Sequence, residues 1–293
     1  MPLAHLTGSD TSNLMSSCHI ILPTYNRRHV LEKTLSSYTR MGVKLLVVDD
    51  GSTDGTESWL RSLGIDVVRH ERRRGLPAAR NTGLKAVEAP RVLFGEDDVM
   101  FAPGHFQILL AEAERLPQCA VVAGSLFVGH SWELPAARPL WEDGELLDPS
   151  LLLGNFAARI AHALPMPTVH ACALVDRAAI LAVGGYDEHF TDSAFREESD
   201  CFARLWHAGR SVWLTPATWA VHVRHRLGGG CRGNRDPIAK FSNRASYWHN
   251  NSIYVDRHHR LWSHWHAGLT PGALKWQFLK RLVQQQVSAM VNR

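Results

Sequence analysis

Four short aliphatic runs, each followed by polar residues, constrain the fold of this chain more than any other feature of its sequence. They are residues 19–23 (HIILP), 43–50 (VKLLVVDD), 65–69 (IDVVR) and 92–95 (VLFG). Their length and their content of β-branched residues are typical of buried strands. Helical spacing at 30–38 and 76–87, and a capping-box pattern at Asp54 and Glu57, predict a helix after each of the first three strands. This alternation predicts an α/β fold with a mainly parallel sheet and helices on both faces.

Polar side chains lie just past the ends of these predicted strands. They are Thr24, Asp49, Asp50 and the cluster Glu96-Asp97-Asp98. In open parallel sheets, ligands bind beyond the carboxyl ends of the strands. The shared position of these residues therefore predicts one binding site at this edge of the sheet.

Glu96-Asp97-Asp98 is the strongest candidate for a metal site. Three consecutive acids at a strand end repel one another unless a cation neutralises them. Carboxylate oxygens suit Mg²⁺ or Mn²⁺ held by a few protein ligands together with substrate phosphates. The alternative is a solvated acidic turn, which the apolar residues on both sides of the cluster disfavour.

Other charged segments are ambiguous when read alone. Asp49-Asp50-Gly51 suits hydrogen bonds to a nucleobase and ribose, but it also suits a plain turn. Glu197-Glu198-Ser199-Asp200 contains candidates for a general base, yet acids are common at a helix start. His222 ends a strand-like run, and a lone histidine in a strand is more often structural than a ligand.

The second half of the sequence is less regular. We expect a strand at 121–128, helices at 176–183 and 199–208, and a strand between Ser211 and His222. Residues 130–168 and 223–250 are expected to be loops that shape the acceptor side, and the segment 273–292 is amphipathic. Aromatic and basic residues near the C-terminus suggest either a helix packed on the catalytic domain or contact with an anionic membrane.

Composition and the N-terminal sequence suggest where the protein acts. The five cysteines are odd in number and widely spaced, which favours reduced thiols. Residues 1–17 resemble a disordered tail and not a signal peptide, and no run of 18 apolar residues occurs. We therefore expect a cytoplasmic protein, either free or peripheral on the inner face of the membrane. The net charge of +4 suits phosphorylated ligands, and we expect no nucleic-acid partner.

Seven segments in order resemble the family 2 glycosyltransferases, which have the GT-A fold, a Rossmann-like sheet with helices on both faces. The segments are ILPTYNR (21–27), VVDDGSTDGT (47–56), RGLPAARNTGL (74–84), FGEDDVMF (94–101), GGYDEHF (184–190), EESDCFARLWHAG (197–209) and AVH (220–222). The resemblance implies a tail at 1–17, a catalytic domain at 18–230 and a helical C-terminal extension at 231–293. Within the catalytic domain, residues 18–100 would bind the nucleotide sugar and 101–230 the acceptor.

The resemblance also implies roles for individual residues. Thr24, Tyr25, Asn26, Asp50 and Gly51 would bind the nucleotide, Arg80 the base or diphosphate, and Asp97 the ribose. Asp98, Glu96 and His222 would hold Mg²⁺ or Mn²⁺. Glu198 would be the general base, with Glu197 and Asp200 as alternatives. The family more often has Asp at the positions of Glu96 and Glu198, so the reach of these two side chains differs.

The implied activity is an inverting, metal-assisted transfer of a sugar from a nucleoside diphosphate, with UDP the commonest, to a hydroxyl of a glycan, lipid-linked or natural-product acceptor. A sugar-nucleotide-forming nucleotidyltransferase and a non-catalytic nucleotide-sugar-binding protein are the alternatives. The first would be expected to carry a Gly-rich phosphate loop where this chain has PTYNRR. The sequence does not specify the oligomeric state.

Overall fold

The computed structural model describes residues 18–190, 194–224, 237–264 and 270–291. The predicted tail 1–17 and Cys231 lie outside these residues. The four cysteines within them, Cys18, Cys119, Cys172 and Cys201, are buried and form no disulfide among the described residues.

A nine-stranded sheet forms the centre of the molecule. Its strands are β1 (His19–Thr24), β2 (Lys44–Asp49), β3 (Asp66–Arg69), β4 (Arg91–Phe94), β5 (Val99–Phe101), β6 (Cys119–Gly129), β9 (Leu164–Pro165), β10 (Leu174–Asp176) and β11 (Ser211–Val223); two further short strands, β7 (Leu147–Asp148) and β8 (Leu153–Gly154), pair with each other. The order is β3-β2-β1-β4-β10-β6-β11-β5, with β9 also beside β11. β1, β2, β3 and β4 are parallel, as are β6 and β11, whereas the short strands β5, β9 and β10 run antiparallel to their neighbours.

Helices cover both faces of the sheet. They are α1 (Arg28–Thr39), α2 (Thr56–Ser62), α3 (Leu76–Ala86), α4 (His105–Arg115), α5 (Arg177–Ala182), α6 (Glu197–His207), α7 (Pro237–His258) and α8 (Pro271–Val291), with a short 3-10 turn at Leu261–His264. Side chains alternate along β1, so that Leu22 packs with α1 on one face while Ile21 packs with α3 on the other. The predicted fold class, a mainly parallel sheet with helices on both faces, is confirmed.

Some predicted elements are corrected. The capping box at Asp54 and Glu57 does not form: α2 follows Gly55, the Asp54 carboxylate accepts from the backbone N–H of Thr56, and Glu57 pairs with Arg61. The expected loop 223–250 is wrong from residue 237 onward, where α7 begins.

The two C-terminal helices pack against α6 and the segment before it. Tyr254 and Val255 of α7 and Leu274 of α8 lie in one apolar cluster with Phe190 and Ala203. Among the described residues, no helix combines the length and the apolar character needed to cross a bilayer. The inner faces of α7 and α8 are therefore part of the folded core.

Candidate active site

The turn Glu96-Asp97-Asp98 joins β4 to β5, and α1 holds its backbone. The Tyr38 hydroxyl donates to the Glu96 carbonyl at 2.5 Å, and the Thr34 hydroxyl donates to the Asp97 carbonyl at 2.7 Å. Thr34 and Tyr38 are one helical turn apart, so they reach the same segment. Gly95 lets the ring approach, since a Cβ there would lie 2.5 Å from Tyr38 Cε1. The acidic turn is thus fixed by buried hydrogen bonds.

Three side chains predicted to hold a metal come together at this turn. One ligand atom each from Glu96, Asp98 and His222 lies within 4.8 Å of the others. β5 pairs antiparallel with β11, with Val99 opposite His222, which brings the distant histidine to the turn. His222 Nε2 lies 3.4 Å from Asp98 Oδ1. Two carboxylates and an imidazole are a suitable donor set for Mn²⁺, and Mg²⁺ would rely more on the carboxylates.

Asp97 points away from this set, towards Thr24 and Arg27. Its carboxylate accepts from the Thr24 hydroxyl at 3.1 Å and lies 3.0 Å from Arg27 Nε. Burial raises the pKa of Asp97 to about 7, with Arg27 opposing the shift. For Asp98, burial acts in the same direction, but His222 and Arg27 outweigh it and hold its pKa below the usual range.

Arg27 is a site residue that the sequence analysis did not assign. Its guanidinium pairs with both Asp97 and Asp98, the second at 2.7 Å, and it lines the cavity described below. The sequence contained a clue to this role, because Arg27 ends the segment ILPTYNR and follows three residues that were assigned to nucleotide binding. A basic residue next to a strand-end polar run is a natural counter-charge for the acids across the sheet edge.

A cavity of about 230 Å³ opens at the carboxyl ends of the strands. It is lined by Pro23, Thr24, Tyr25, Arg27, Asp50, Arg73, Leu76, Ala79, Gly95, Glu96, Asp97, Asp98 and His222. The Arg73 guanidinium lies over the Tyr25 ring, 4.7 Å from its centroid. The cavity lining therefore combines aromatic and apolar surface with carboxylates and an imidazole.

Asp50 fixes the loop that carries Arg73. Its carboxylate accepts from the backbone N–H groups of Arg74 and Gly75, both at 2.8 Å, and from His70 Nδ1 at 2.7 Å. Gly51 has a φ of +84°, and a Cβ there would lie 2.8 Å from the Arg72 carbonyl carbon. Asp50 and Gly51 thus position the loop that carries Arg73, and only Asp50 of the two lines the cavity.

Asn26 also acts on the backbone. It has a positive φ of 52°, its N–H donates to the Ser52 hydroxyl, and its side-chain oxygen accepts from the Thr53 N–H at 2.7 Å. It does not line the cavity. Its contacts join the ends of β1 and β2.

Arg80 does not line the cavity, contrary to the expectation that it contacts the base or diphosphate. It lies on the buried face of α3, and its side chain is completely buried. Nε donates to Glu197 at 2.8 Å, and Nη2 lies 3.5 Å from Glu96. The rings of Phe94 and Tyr186 flank the guanidinium.

The acids at the start of α6 have different partners. Glu197 is paired with Arg80, and Asp200 with Arg204, Arg257 and His258. Among the residues that the structure describes, no ion pair involves Glu198, which is partly exposed. Burial raises the pKa of Glu198 above its ordinary value, partly offset by a backbone hydrogen bond. A raised pKa makes a carboxylate a stronger base, and Glu198 is more exposed than Glu197 and Asp200, which are both buried and paired.

Comparisons with known proteins agree with this fold. The model of glycosyl transferase family 2 matches residues 19–164. A pre-mycofactocin glycosyltransferase of Mycobacterium tuberculosis is 32% identical over 69% of this chain, which spans only 42% of that relative's length. An N-acetylglucosaminyl-diphospho-decaprenol L-rhamnosyltransferase of the same organism is 27% identical, with 83% of this chain and 85% of the relative covered.

Solved structures share the fold at lower identity. GalNAc-T7 with UDP, GalNAc and Mn²⁺ superposes with a TM-score of 0.57 and 15% identity, covering 84% of this chain and 51% of that one. The mannosyltransferase PcManGT of Pyrobaculum calidifontis, with GDP-Man and Mn²⁺, gives 0.56 and 20%, covering 88% and 67%. With the sheet order, the strand-end cavity and the sequence match all in agreement, the chain belongs to glycosyl transferase family 2.

Proposed function

We propose that this chain is an inverting glycosyltransferase that moves a sugar from a nucleoside diphosphate, most simply UDP, to a hydroxyl of a glycan, lipid-linked or natural-product acceptor. The convergence of Glu96, Asp98 and His222 in one cavity with the Tyr25–Arg73 surface carries the proposal. That arrangement has a place for a charged diphosphate beside a place for a flat base. Both relatives described above are sugar transferases by name, which supports the same reaction class.

On the donor side, Glu96, Asp98 and His222 would hold Mg²⁺ or Mn²⁺, and the bound ion supplies positive charge against the diphosphate leaving group. Thr24, Tyr25 and Asp50 line the same cavity and would contact the nucleoside. Asp97, kept in place by Thr24 and Arg27, is proposed to accept from the ribose. Both solved neighbours hold a nucleotide or nucleotide sugar together with Mn²⁺, which supports this assignment.

On the acceptor side, Glu198 is proposed to take the proton from the attacking hydroxyl. The acceptor oxygen forms its bond to the anomeric carbon while the bond from that carbon to the diphosphate oxygen breaks. The nucleoside diphosphate leaves with the electron pair, and attack from the opposite face inverts the configuration. The raised pKa of Glu198 supports its role as proton acceptor.

Thermal unfolding with UDP-, dTDP- and GDP-sugars, each with and without Mn²⁺, tests the donor site. We expect one nucleotide series to raise the melting temperature, and to do so much more strongly with Mn²⁺. Release of nucleoside diphosphate on adding an acceptor then tests transfer. Equal stabilisation with and without Mn²⁺ would remove the metal from the proposal, and pyrophosphate release from a nucleoside triphosphate and a sugar phosphate would replace transfer with nucleotidyl chemistry.

A further inference from the structure

The buried guanidinium of Arg80 lies between the two halves of the proposed site. Nε bonds to Glu197 at the start of α6, and Nη2 faces Glu96 of the acidic turn. The flanking rings also come from both sides, Phe94 from β4 and Tyr186 from the segment before α6. One charged group thus lies against both a candidate cation ligand and the first turn of α6.

The network around Arg80 has spare hydrogen-bonding capacity. Within the described part of the chain, Arg80 Nη1 and Nη2 and Glu197 Oε2 are buried without a hydrogen-bond partner. Buried polar atoms are nearly always paired in native proteins, and unpaired ones call for an explanation. At 3.5 Å, Nη2 and Glu96 attract each other without a formed hydrogen bond. The guanidinium can therefore shift its pairing between the two acids.

Glu96 is shared between two uses. It belongs to the set with Asp98 and His222, and it also faces Arg80. A cation that binds Glu96 reduces the attraction between Glu96 and Arg80, so Arg80 is then balanced mainly by Glu197. Conversely, loss of the Glu197 charge leaves Glu96 as the nearest counter-charge for Arg80 and draws it away from a cation.

We propose that Arg80 and Glu197 form a buried link that couples cation binding at Glu96 to the position of the first turn of α6. Arg80 is then a positioning residue, because it acts through Glu96 and Glu197 without lining the cavity. Glu198 is the residue after Glu197, so the proton acceptor is set in place when the donor side is filled. This inference rests on the proposed function, and coupling of this kind is reciprocal.

Mn²⁺ binding without donor tests the link directly. Free Mn²⁺ is measured by electron paramagnetic resonance in titrations of the full chain, of Glu197→Gln, of the double variant Arg80→Gln/Glu197→Gln, and of Glu114→Gln as a control with an exposed acid. We expect Glu197→Gln to bind Mn²⁺ about fivefold or more weakly, the range of ordinary site-to-site coupling. The double variant should regain the affinity of the unaltered chain, because Glu96 is no longer drawn to Arg80, and the control should not change.

The double variant also separates positioning from folding. It removes both charges of a buried pair, so neither is left unbalanced and the chain should stay folded by circular dichroism. We expect its kcat to fall about tenfold to a hundredfold, as for a misplaced reacting group, with the donor KM close to that of the unaltered chain. Unchanged kcat in the folded double variant, or Mn²⁺ affinity in Glu197→Gln equal to the control, would overturn the link. Failure of the unaltered chain to bind Mn²⁺ would instead overturn the proposed cation site, and the link with it.

Discussion

Glu198 differs from its acidic neighbours in what surrounds it. In the part of the chain that the structure describes, Glu197 and Asp200 form ion pairs and Glu198 forms none. The family resemblance implied Glu198 as the base and left Glu197 and Asp200 as substitutes, because spacing alone does not show which carboxylate is paired. The partners, Arg80 on α3 and His258 on α7, lie more than fifty residues away in the chain.

Replacing Glu198 with Gln should lower kcat by about 10²–10⁴-fold and leave donor binding intact, since only the proton acceptor is removed. The measurement is steady-state kinetics with a thermal-shift titration of the donor. Because the carboxylate must be ionised to accept a proton and its pKa is raised, kcat should fall as pH drops through a value above 4.5. Near-normal turnover in the variant would move the base role to another group.

Tyr38 supports the acidic turn through its hydroxyl. Tyr38→Phe should destabilise the fold by about 1–3 kcal/mol, because the Glu96 carbonyl loses a donor and the Glu96 N–H loses an acceptor. It should also weaken Mn²⁺ binding about 10–100-fold, as is usual when support for a ligand is lost. Chemical denaturation and Mn²⁺ titration measure the two effects.

Tyr186→Phe is the matched control for Tyr38→Phe. Its hydroxyl is buried without a hydrogen-bond partner among the described residues. Removing that hydroxyl should leave the free energy of unfolding unchanged or slightly higher. Equal effects of the two substitutions would show that the hydrogen bond to the acidic turn has no special value.

At the scale of secondary structure, the first hundred residues were predictable and the later ones less so. β1, β2 and β4 are buried on both faces, so their aliphatic runs are unbroken and easy to recognise. β5 and β10 have only three residues each, too few to show a period, and both are held by pairing with distant strands. β5 and β10 form because they pair with other strands of the sheet, and the local sequence does not encode that pairing.

The same limit applied to the site. Glu96, Asp98 and His222 were identified from family motifs, and the antiparallel pair β5–β11 brings them together. Arg80 was assigned to the ligand because the motif was read without its burial. The position of Arg80 between Glu96 and Glu197 is visible only in the folded structure, because these two acids are far apart in the sequence.

A substitution at Gly51 tests how the loop after β3 is positioned. Gly51→Ala would place a Cβ against the Arg72 backbone at a positive φ, so the loop with Arg73 must move. Gly64 also has a positive φ, +74°, but a Cβ at this position would meet open space, so Gly64→Ala is the matched control. We expect Gly51→Ala to be the less stable of the two by about 1–3 kcal/mol, the usual effect of overpacking, and to raise donor KM. Equal donor KM in both variants would contradict the role of this loop.

At the scale of the whole molecule, α7 supports the segment that leads into α6. The buried Arg196, just before α6, donates to Asn251 of α7 and to the carbonyls of Leu151 and Leu152. Its guanidinium also lies over the Tyr254 ring. α7 thus holds the segment from which α6 begins.

Truncation after residue 236 should therefore destabilise the protein severely. It removes Asn251 and Tyr254 from Arg196 and leaves this buried charge with the Leu151 and Leu152 carbonyls as its remaining hydrogen-bond acceptors in the described part of the chain, an effect of several kcal/mol. Thermal unfolding followed by circular dichroism is the measurement. A truncated chain with an unchanged melting temperature would show that 18–230 folds independently, as the predicted domain boundary implies.

Membrane contact through α8 stays a prediction, and the structure sharpens its test. Leu274 and Phe278 face the core, whereas Trp276 and Val283 are exposed and Lys280 lies over the Trp276 ring. Trp276→Ser/Lys280→Gln should reduce co-sedimentation with anionic vesicles without changing the melting temperature. The control is Trp132→Ser/Lys33→Gln, a second tryptophan–lysine pair in which the tryptophan is partly buried and not exposed. Equal losses in both variants would argue against a specific membrane face.

The pairing of β5 with β11 also has a kinetic consequence. Asp98 and His222 lie more than one hundred residues apart in the sequence, and strands between them must join the sheet before the two meet. Contacts between residues so distant in sequence form late, because a long stretch of chain must first be ordered. During refolding, the ability to bind Mn²⁺ should therefore appear after most of the secondary structure has returned. Mn²⁺ binding would then indicate that the sheet around the site has finished folding.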